Sequence, residues 1–266
     1  MTVWLEEGVT GERVRHVVLG MHLDYIEPED FIGRVIAMAA SGLKGFCCVS
    51  NVYQCVLAHD DPEFRDCINT ATFVVPDSVV LQRSRSFLLD VPVKRTLKGA
   101  EIMSELCRQA AEMDIPIALI GGKDLETLQI LKDALIKLYP NLEIAFAHSP
   151  PFGPVSAEED AAVISRLNGS GAKLAFVGLG CPKQERWMAR NSSGGQAVMI
   201  GVGAAFDFLA GVVRPSPTWV HQAGLEWLYR LVSEPKRLWR RYLTSSPRFI
   251  ALLLAEKFRP GRGRSV

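Results

Sequence analysis

What this 266-residue chain lacks narrows its chemistry first. Its six cysteines, Cys47, Cys48, Cys55, Cys67, Cys107 and Cys181, include no C-x-x-C pair and mostly stand in apolar runs. That is the pattern of buried, reduced thiols in a cytoplasmic protein, not of disulfides or a zinc site. Five histidines, His16, His22, His59, His148 and His221, show no spacing suited to a metal, and none is assigned a role. No apolar run approaches the ~20 residues needed to cross a bilayer. Residues 1–7 are acidic and without an apolar core, so no signal peptide is expected. A G-x-G-x-x-G with an acidic residue about twenty positions later is missing, which ranks a nicotinamide-dependent dehydrogenase last. No D-x-D occurs, and Glu158-x-Asp160 lies in a helical, highly charged stretch that reads as a solvated face.

What is present describes a globular protein with ample core, 48% hydrophobic and 22% charged. The net charge of +1 conceals an asymmetry: from Leu228 onward ten Lys/Arg stand against Glu234 and Glu256. The tail therefore carries +8 and the preceding 227 residues −7. A tail of that sign points to an anionic partner, a membrane surface or a nucleic acid.

Short β-rich runs at 16–19, 46–50, 73–75, 115–120, 142–147, 173–177 and 197–200 alternate with helical segments. The helices are expected at 28–40, 62–69, 78–88, 100–112, 125–138, 157–167, 183–189 and 206–210. This alternation predicts an α/β fold, a Rossmann-like parallel sheet with helices on both faces, over residues 1–212. After Pro215-Ser-Pro217 the pattern becomes purely helical. Amphipathic helices are expected at 219–232 and 235–243, with a third restarted by Ser246-Pro247. Residues 213–258 thus form a basic amphipathic appendage and 259–266 a disordered tail. In the appendage Arg230, Lys236, Arg237, Arg240, Arg241 and Arg248 interleave with Leu238, Trp239, Tyr242, Leu243, Phe249 and Ile250. That composition suits a helix lying in a membrane interface, and its Leu and Trp content disfavours nucleic acid.

Two glycine turns hold the densest information. Gly178-Leu-Gly-Cys-Pro-Lys-Gln-Glu185 and Gly201-Val-Gly-Ala-Ala-Phe-Asp207 each follow a strand-like run and open onto a helix. Such turns let a backbone approach a ligand and aim unpaired helical amides at it. They are equally compatible with ordinary strand-to-helix connections.

Together with Ser50-Asn51, Asp60-Asp-Pro-Glu-Phe64, Val75-Pro-Asp77, Gly121-Gly122, Ala210-Gly211, Gly224-Leu-Glu-Trp-Leu-Tyr-Arg-Leu231, Glu234-Pro235 and Arg240-Arg-Tyr-Leu243, these motifs make the chain resemble the bacterial WecG/TagA/CpsF glycosyltransferase family. The resemblance implies an inverting sugar transfer, without a metal or other cofactor, at the inner face of the cytoplasmic membrane. The donor would be a UDP-sugar, of N-acetylmannosamine or another hexose, and the acceptor a polyprenyl-diphosphate-linked sugar of surface polysaccharide synthesis. Self-association is also implied.

On this resemblance Asp77 is the catalytic base; from the residues alone it could equally cap the following helix. Asn51 would hold a sugar hydroxyl or stabilise its turn. Gly178, Gly180, Lys183, Gln184, Glu185, Gly201 and Asp207 are the expected donor-site residues, with Glu185 alternatively a cap and Asp207 alternatively a brace. Arg230, Arg237, Arg240 and Arg241 are expected at the lipid diphosphate or membrane. Three positions depart from the commoner family pattern: Val49 replaces a threonine, Ser78 a glycine and Thr96 an arginine. Arg95 or Lys98 must then supply the arginine's function, and Glu101 retains a carboxylate at an aspartate position. These departures also leave open a catalytically silent homologue that binds UDP-sugar or lipid carrier and scaffolds an assembly complex.

Overall fold

Strand β3 (Gly45–Ser50) sets the architecture, because its alternate side chains enter different cores. Phe46 and Cys48 point into one cluster, Cys47 and Val49 into the other, as expected of a strand covered on both faces. The computed structural model describes residues 13–150 and 156–259, apart from the side chains of residues 218 and 237. From residue 260 on, the expected disordered tail lies outside the described residues.

In chain order β3 is preceded by β1 (Arg15–Val18), β2 (Met21–Asp24) and α1 (Pro28–Ala40). It is followed by α2 (Val52–Asp60), α3 (Pro62–Asn69), β4 (Phe73–Pro76), α4 (Val79–Leu89), α5 (Gly99–Glu112), β5 (Ile117–Gly121), α6 (Leu125–Leu138) and β6 (Ile144–His148). Then come α7 (Ala157–Gly169), β7 (Leu174–Gly178), α8 (Lys183–Asn191), β8 (Val198–Gly201) and α9 (Ala205–Leu209). Three helices complete the described chain: α10 (Thr218–Ala223), α11 (Glu226–Ser233) and α12 (Pro235–Lys257).

Six strands form a parallel sheet in the order β4-β3-β8-β7-β5-β6. Helices α1, α5, α6 and α9 contribute to the core on one face, and α2, α3, α4, α7 and α8 to the core on the other. The fold is therefore Rossmann-like α/β, as the alternation predicts. Chain connections diverge between β5, which leads outward to β6, and β7, which leads inward to β8. In open α/β sheets such a divergence opens a crevice at the carboxyl ends of the strands.

Four local expectations are corrected. The strand at 16–19 is one arm of an antiparallel hairpin, β1 and β2, turned at Leu19–Gly20. Helix α2 was not foreseen: it packs against both α3 and α12, so its apolar residues do not gather on one face. The helix expected at 219–232 breaks in two because Gly224 takes a left-handed conformation (φ 76°) that ends α10. Conversely, Pro247 lies inside a continuous α12. The Ser245 hydroxyl donates to Arg241 O at 2.6 Å just before it, and Phe249, 2% exposed, anchors the next turn in the core.

Helix α12 is tied to the sheet domain at several points. Arg248 Nε donates to Asp60 Oδ2 at 2.8 Å, Leu19 N to Glu256 Oε2 at 3.0 Å, and Lys257 Nζ to Phe87 O at 2.6 Å. Its outer face is apolar in patches, with Trp239, Leu243, Ile250 and Leu254 exposed. Among the described residues no helix is long and apolar enough to cross a membrane.

Candidate active site

Strands β3 and β4 end in register, Ser50 opposite Pro76, so the next residues, Asn51 and Asp77, emerge together at the carboxyl edge. Asp77 N donates to Ser50 O at 2.9 Å, extending the ladder by one bond. Asn51 starts α2 through a reciprocal cap: its Oδ1 accepts from Tyr53 N at 3.1 Å and Gln54 N at 3.4 Å, while Gln54 Oε1 accepts from Asn51 N at 2.7 Å. Asp77 does not have the alternative capping role. Ser78 is the N-cap of α4, and no side-chain bond caps that helix.

The C-terminal helices bring charge to this edge. Arg241 Nη2 donates to Asn51 Oδ1 at 3.3 Å, and its guanidinium lies 4.0 Å from the Tyr53 ring centre. Arg230 binds Glu234 at 3.3 Å and lies over Phe208 at 5.4 Å. The buried Nε atoms of Arg230 and Arg241 have no hydrogen-bond partner. His221 Nδ1 is 2.8 Å from Glu226 Oε2, and its Nε2 is 3.4 Å from Thr96 Oγ1. Lys98 Nζ donates to Ser216 O at 2.9 Å.

Several of these charges act on Asp77. Desolvation, followed by repulsion from Glu226, raises its carboxyl to about 7, against the attraction of His221, Arg230 and Arg241. A carboxylate poised there can accept a proton near neutral pH. Burial pushes Glu226 upward, but the His221 hydrogen bond and the charges of Lys98, His221 and Arg230 outweigh it and hold Glu226 below the usual range. Burial likewise raises Tyr242, which feels Arg230, Arg241, Asp77 and Glu226.

The glycine turns lie further along the same edge. Gly122 N donates to Gly178 O at 3.3 Å, joining the ends of β5 and β7 at the divergence of the connections. A Cβ on Gly121 (φ 125°) would stand 2.5 Å from that same oxygen, so only glycine fits the approach. Beside this junction opens a groove of about 570 Å³, whose lining includes Gly122, Lys123, His148, Gly178, Lys183 and Arg186. The groove is not at Asp77: three strand spacings, about 14 Å, separate β4 from β7. Gly201 and Asp207, at the end of β8 and the first turn of α9, lie between the two regions in strand order. The Asp207 carbonyl accepts from Val212 N and Val213 N at 3.0 and 3.1 Å.

Several expected site residues sit elsewhere or act differently. Glu185 is fully buried and Gln184 is 3% exposed, and the side chains of both bond within the protein. Glu185 Oε1 accepts from Gln54 Nε2 at 2.7 Å and Gln184 Nε2 at 2.8 Å, while Gln184 Oε1 accepts from Gly180 N at 3.2 Å. These residues brace α2, α8 and the Gly180 turn together. Desolvation raises the Glu185 carboxyl, partly offset by its own amide, Gln184, Gln54 and the Cys181 thiol. Lys183 opens α8 and is exposed at the groove.

Of the two residues able to take over at Thr96, Arg95 pairs outward with Glu29, both exposed, whereas the Lys98 charge acts on Glu226. Glu101 accepts from Lys98 N at 2.8 Å as the helix cap of α5 and is solvent-facing. Among the tail arginines, Arg230 and Arg241 join the site. Arg240 is exposed and lies over Trp239 at 5.2 Å, and the side chain of Arg237 lies outside the described residues. Asp160 is not on a solvated face: 9% exposed, it accepts from Trp187 Nε1 at 2.7 Å. Sequence reasoning missed Glu226 and His221, although Glu226 and Arg230 are one helical turn apart and of opposite sign.

Among the described residues no group of three His, Cys, Asp or Glu is placed to hold a metal ion. Compared with known families, the chain matches the glycosyl transferase WecG/TagA/CpsF family over residues 16–263 of 266 and belongs to it. This is a family of glycosyltransferases acting in polysaccharide biosynthesis.

Proposed function

We propose that this WecG/TagA/CpsF family member transfers a hexose, with inversion and without a metal ion, from a UDP-sugar to a polyprenyl-diphosphate-linked acceptor sugar. The observation that carries the reading is Asp77: a carboxyl raised to about 7 at the carboxyl edge of the sheet, in the electrostatic reach of Arg230 and Arg241 from the appendage. The donor would lie along the strand ends, its nucleotide in the groove beside Lys123 and Lys183 and its sugar toward Asp77. The ~14 Å between β4 and β7 suits a nucleotide-sugar laid across the edge better than a sugar alone.

In the step itself, ionised Asp77 takes the proton of the acceptor hydroxyl as its oxygen attacks the anomeric carbon. The bond from that carbon to the UDP oxygen breaks on the opposite face, and UDP leaves with the bonding electrons. One carboxylate suffices because the diphosphate is already a good leaving group; hydrolysis of an unactivated glycoside needs two. Lys183, the start of α8 and the tail arginines would balance phosphate charge, with guanidinium groups suited to paired phosphate oxygens.

The acceptor is a lipid, and the exposed Trp239, Leu243, Ile250 and Leu254 beside Lys236 and Arg240 give α12 the character of an interfacial helix. We therefore place the protein at the inner face of the cytoplasmic membrane, each Lys/Arg near anionic lipid adding ~1 kcal/mol.

The test is transfer from a panel of UDP-sugars to a short-chain polyprenyl-diphosphate sugar, with and without EDTA, beside Asp77→Asn. Turnover that survives EDTA and falls at least ~10²-fold in the variant is expected. UDP binding without turnover from any donor would overturn the assignment in favour of a silent scaffold.

A further inference from the structure

The proposed transfer gives no role to Asp60-Asp-Pro-Glu-Phe64, the segment at which α2 ends and α3 begins. Its first two carboxylates serve different partners. Asp60 binds Arg248 of α12 at 2.8 Å. Asp61 binds Arg186 of α8, its Oδ2 accepting from Nη2 at 2.6 Å across 125 residues of chain. The Asp61 carboxylate is held from its own side as well. Its amide closes the end of α2 on Leu57 O at 2.8 Å, and its Oδ1 caps α3 by accepting from Phe64 N at 3.0 Å. Pro62 suits the first turn of α3, and the buried Phe64 anchors it.

Arg186 lines the groove beside the β5–β7 junction. It stands one turn after Lys183 on α8, so the two cations share a face of the helix. Lys123 lines the same groove from the loop after β5. The acidic side chains of the lining are already engaged. Glu159 Oε2 accepts from Ser156 N at 2.8 Å, and Asp160 accepts from Trp187 Nε1 at 2.7 Å and Arg190 Nη2 at 3.4 Å. Asp61 takes up only part of the Arg186 fork: the buried Nε has no hydrogen-bond partner among the described residues. A guanidinium carries five N–H donors and binds phosphate oxygens in pairs. As a stabilising contact, a partly exposed ion pair is worth little. Its use here is to fix one end of a guanidinium at a cationic groove.

Asp61 belongs to the connection between β3 and β4, the strands that lead into Asn51 and Asp77, while the groove lies beside β5 and β7. Arg186 therefore links the groove to the part of the fold that would carry the sugar end of the donor. The diphosphate is what joins nucleoside to sugar. We propose that Arg186 binds the diphosphate of the nucleotide, selecting a nucleoside diphosphate over a monophosphate, and that Asp61 is its positioning residue. The inference rests on the reading of the groove as the nucleotide site. Lys123 and Lys183 attract any phosphate as point charges and so favour both nucleotides, whereas the oriented guanidinium adds paired bonds that need the second phosphate. Asp61 acts through Arg186, by lowering the cost of ordering a long side chain.

The experiment is calorimetric titration of the full chain with UDP and with UMP. Wild type should bind UDP the more tightly. Arg186→Gln should weaken UDP about tenfold and UMP less than about twofold. Asp61→Asn keeps a side chain able to cap α3 and removes only the charge. It should weaken UDP about threefold, and the same change made on top of Arg186→Gln should do nothing further. A general folding defect would weaken both nucleotides alike and would persist in the double variant. Should Arg186→Gln fail to fold, Arg186→Lys keeps a cation beside Asp61 without the fork and reads the same ratio. A wild type without preference for UDP, or equal losses for the two nucleotides in the Arg186 variants, would overturn the assignment of Arg186. UDP binding unchanged or tightened in Asp61→Asn would overturn the positioning role. Sugar transfer is measured in parallel. The expected binding pattern without transfer from any UDP-sugar would support the arginine assignment and defeat the proposed reaction. Transfer by wild type, with the same diphosphate preference in every variant, would defeat the inference and leave the reaction standing.

Discussion

Arg241 donates to the side-chain oxygen of Asn51 at 3.3 Å, across 190 residues of chain. The same oxygen accepts from the first amides of α2, so one carboxamide both starts a helix and receives the appendage. The guanidinium also stacks on Tyr53, a geometry that an ammonium cannot reproduce. Arg241→Lys should therefore loosen α12 over the site. We expect KM for the lipid-linked acceptor to rise about tenfold, an effect of 1–2 kcal/mol, with kcat less affected. Steady-state kinetics at varied acceptor concentration measure the split.

The raised carboxyl of Asp77 has a consequence for stability. Between the unfolded aspartate value near 4 and the folded value of about 7, the folded state binds the extra proton, so stability falls as pH rises. Asp77→Asn removes that dependence. Its melting temperature should match the wild type near pH 4, exceed it progressively toward pH 7 and hold a constant advantage above. The gain is bounded at about 4 kcal/mol and reduced by the carboxylate's remaining contact with water. Melting curves at four pH values would show it, and a constant offset at all of them would refute it.

Lys98 and Arg95 differ in address though they are three residues apart. Lys98 reaches Ser216 and acts on Glu226, while Arg95 sits in an exposed pair with Glu29. Lys98→Ala is expected to lower kcat/KM by about tenfold, the worth of one charge-assisted contact. Arg95→Ala should leave turnover within about twofold. The reverse order would show that the arginine serves the site.

Glu185 accepts from two buried amides. Glu185→Leu strands both donors and should cost about 2–4 kcal/mol. Chemical denaturation would register this as a lower midpoint, and activity would fall with stability. Should the variant be as stable as wild type yet unable to bind UDP, direct ligand contact would be the better account.

Gly121→Ala places a methyl group 2.5 Å from the Gly178 carbonyl at φ 125°. Both the clash and the conformation oppose it, so a loss of about 2 kcal/mol or more is expected. The displaced β5–β7 junction should also weaken nucleotide binding, which calorimetry with UDP would detect.

By itself the sequence determined the parallel α/β sheet, the two glycine turns, and the placing of Asn51 and Asp77 after strands. These follow from local signals: period-2 and period-3.6 patterning, glycine and proline punctuation, and motif spacing. Local signals failed where packing overrides them, at helix α2, buried by α3 and α12, and at Pro247, which α12 absorbs. Only tertiary structure decided that the charges of Arg230 and Arg241 act on Asp77 while Arg240 turns outward, that Lys98 acts on Glu226 while Arg95 pairs outward with Glu29, and that Glu185 braces the turns from beneath. It alone set His221 between Glu226 and Thr96. Each of those outcomes depends on strand order and on the packing of C-terminal helices against segments distant in sequence, and electrostatic partners in a desolvated cleft are defined by distance in space, not by position along the chain.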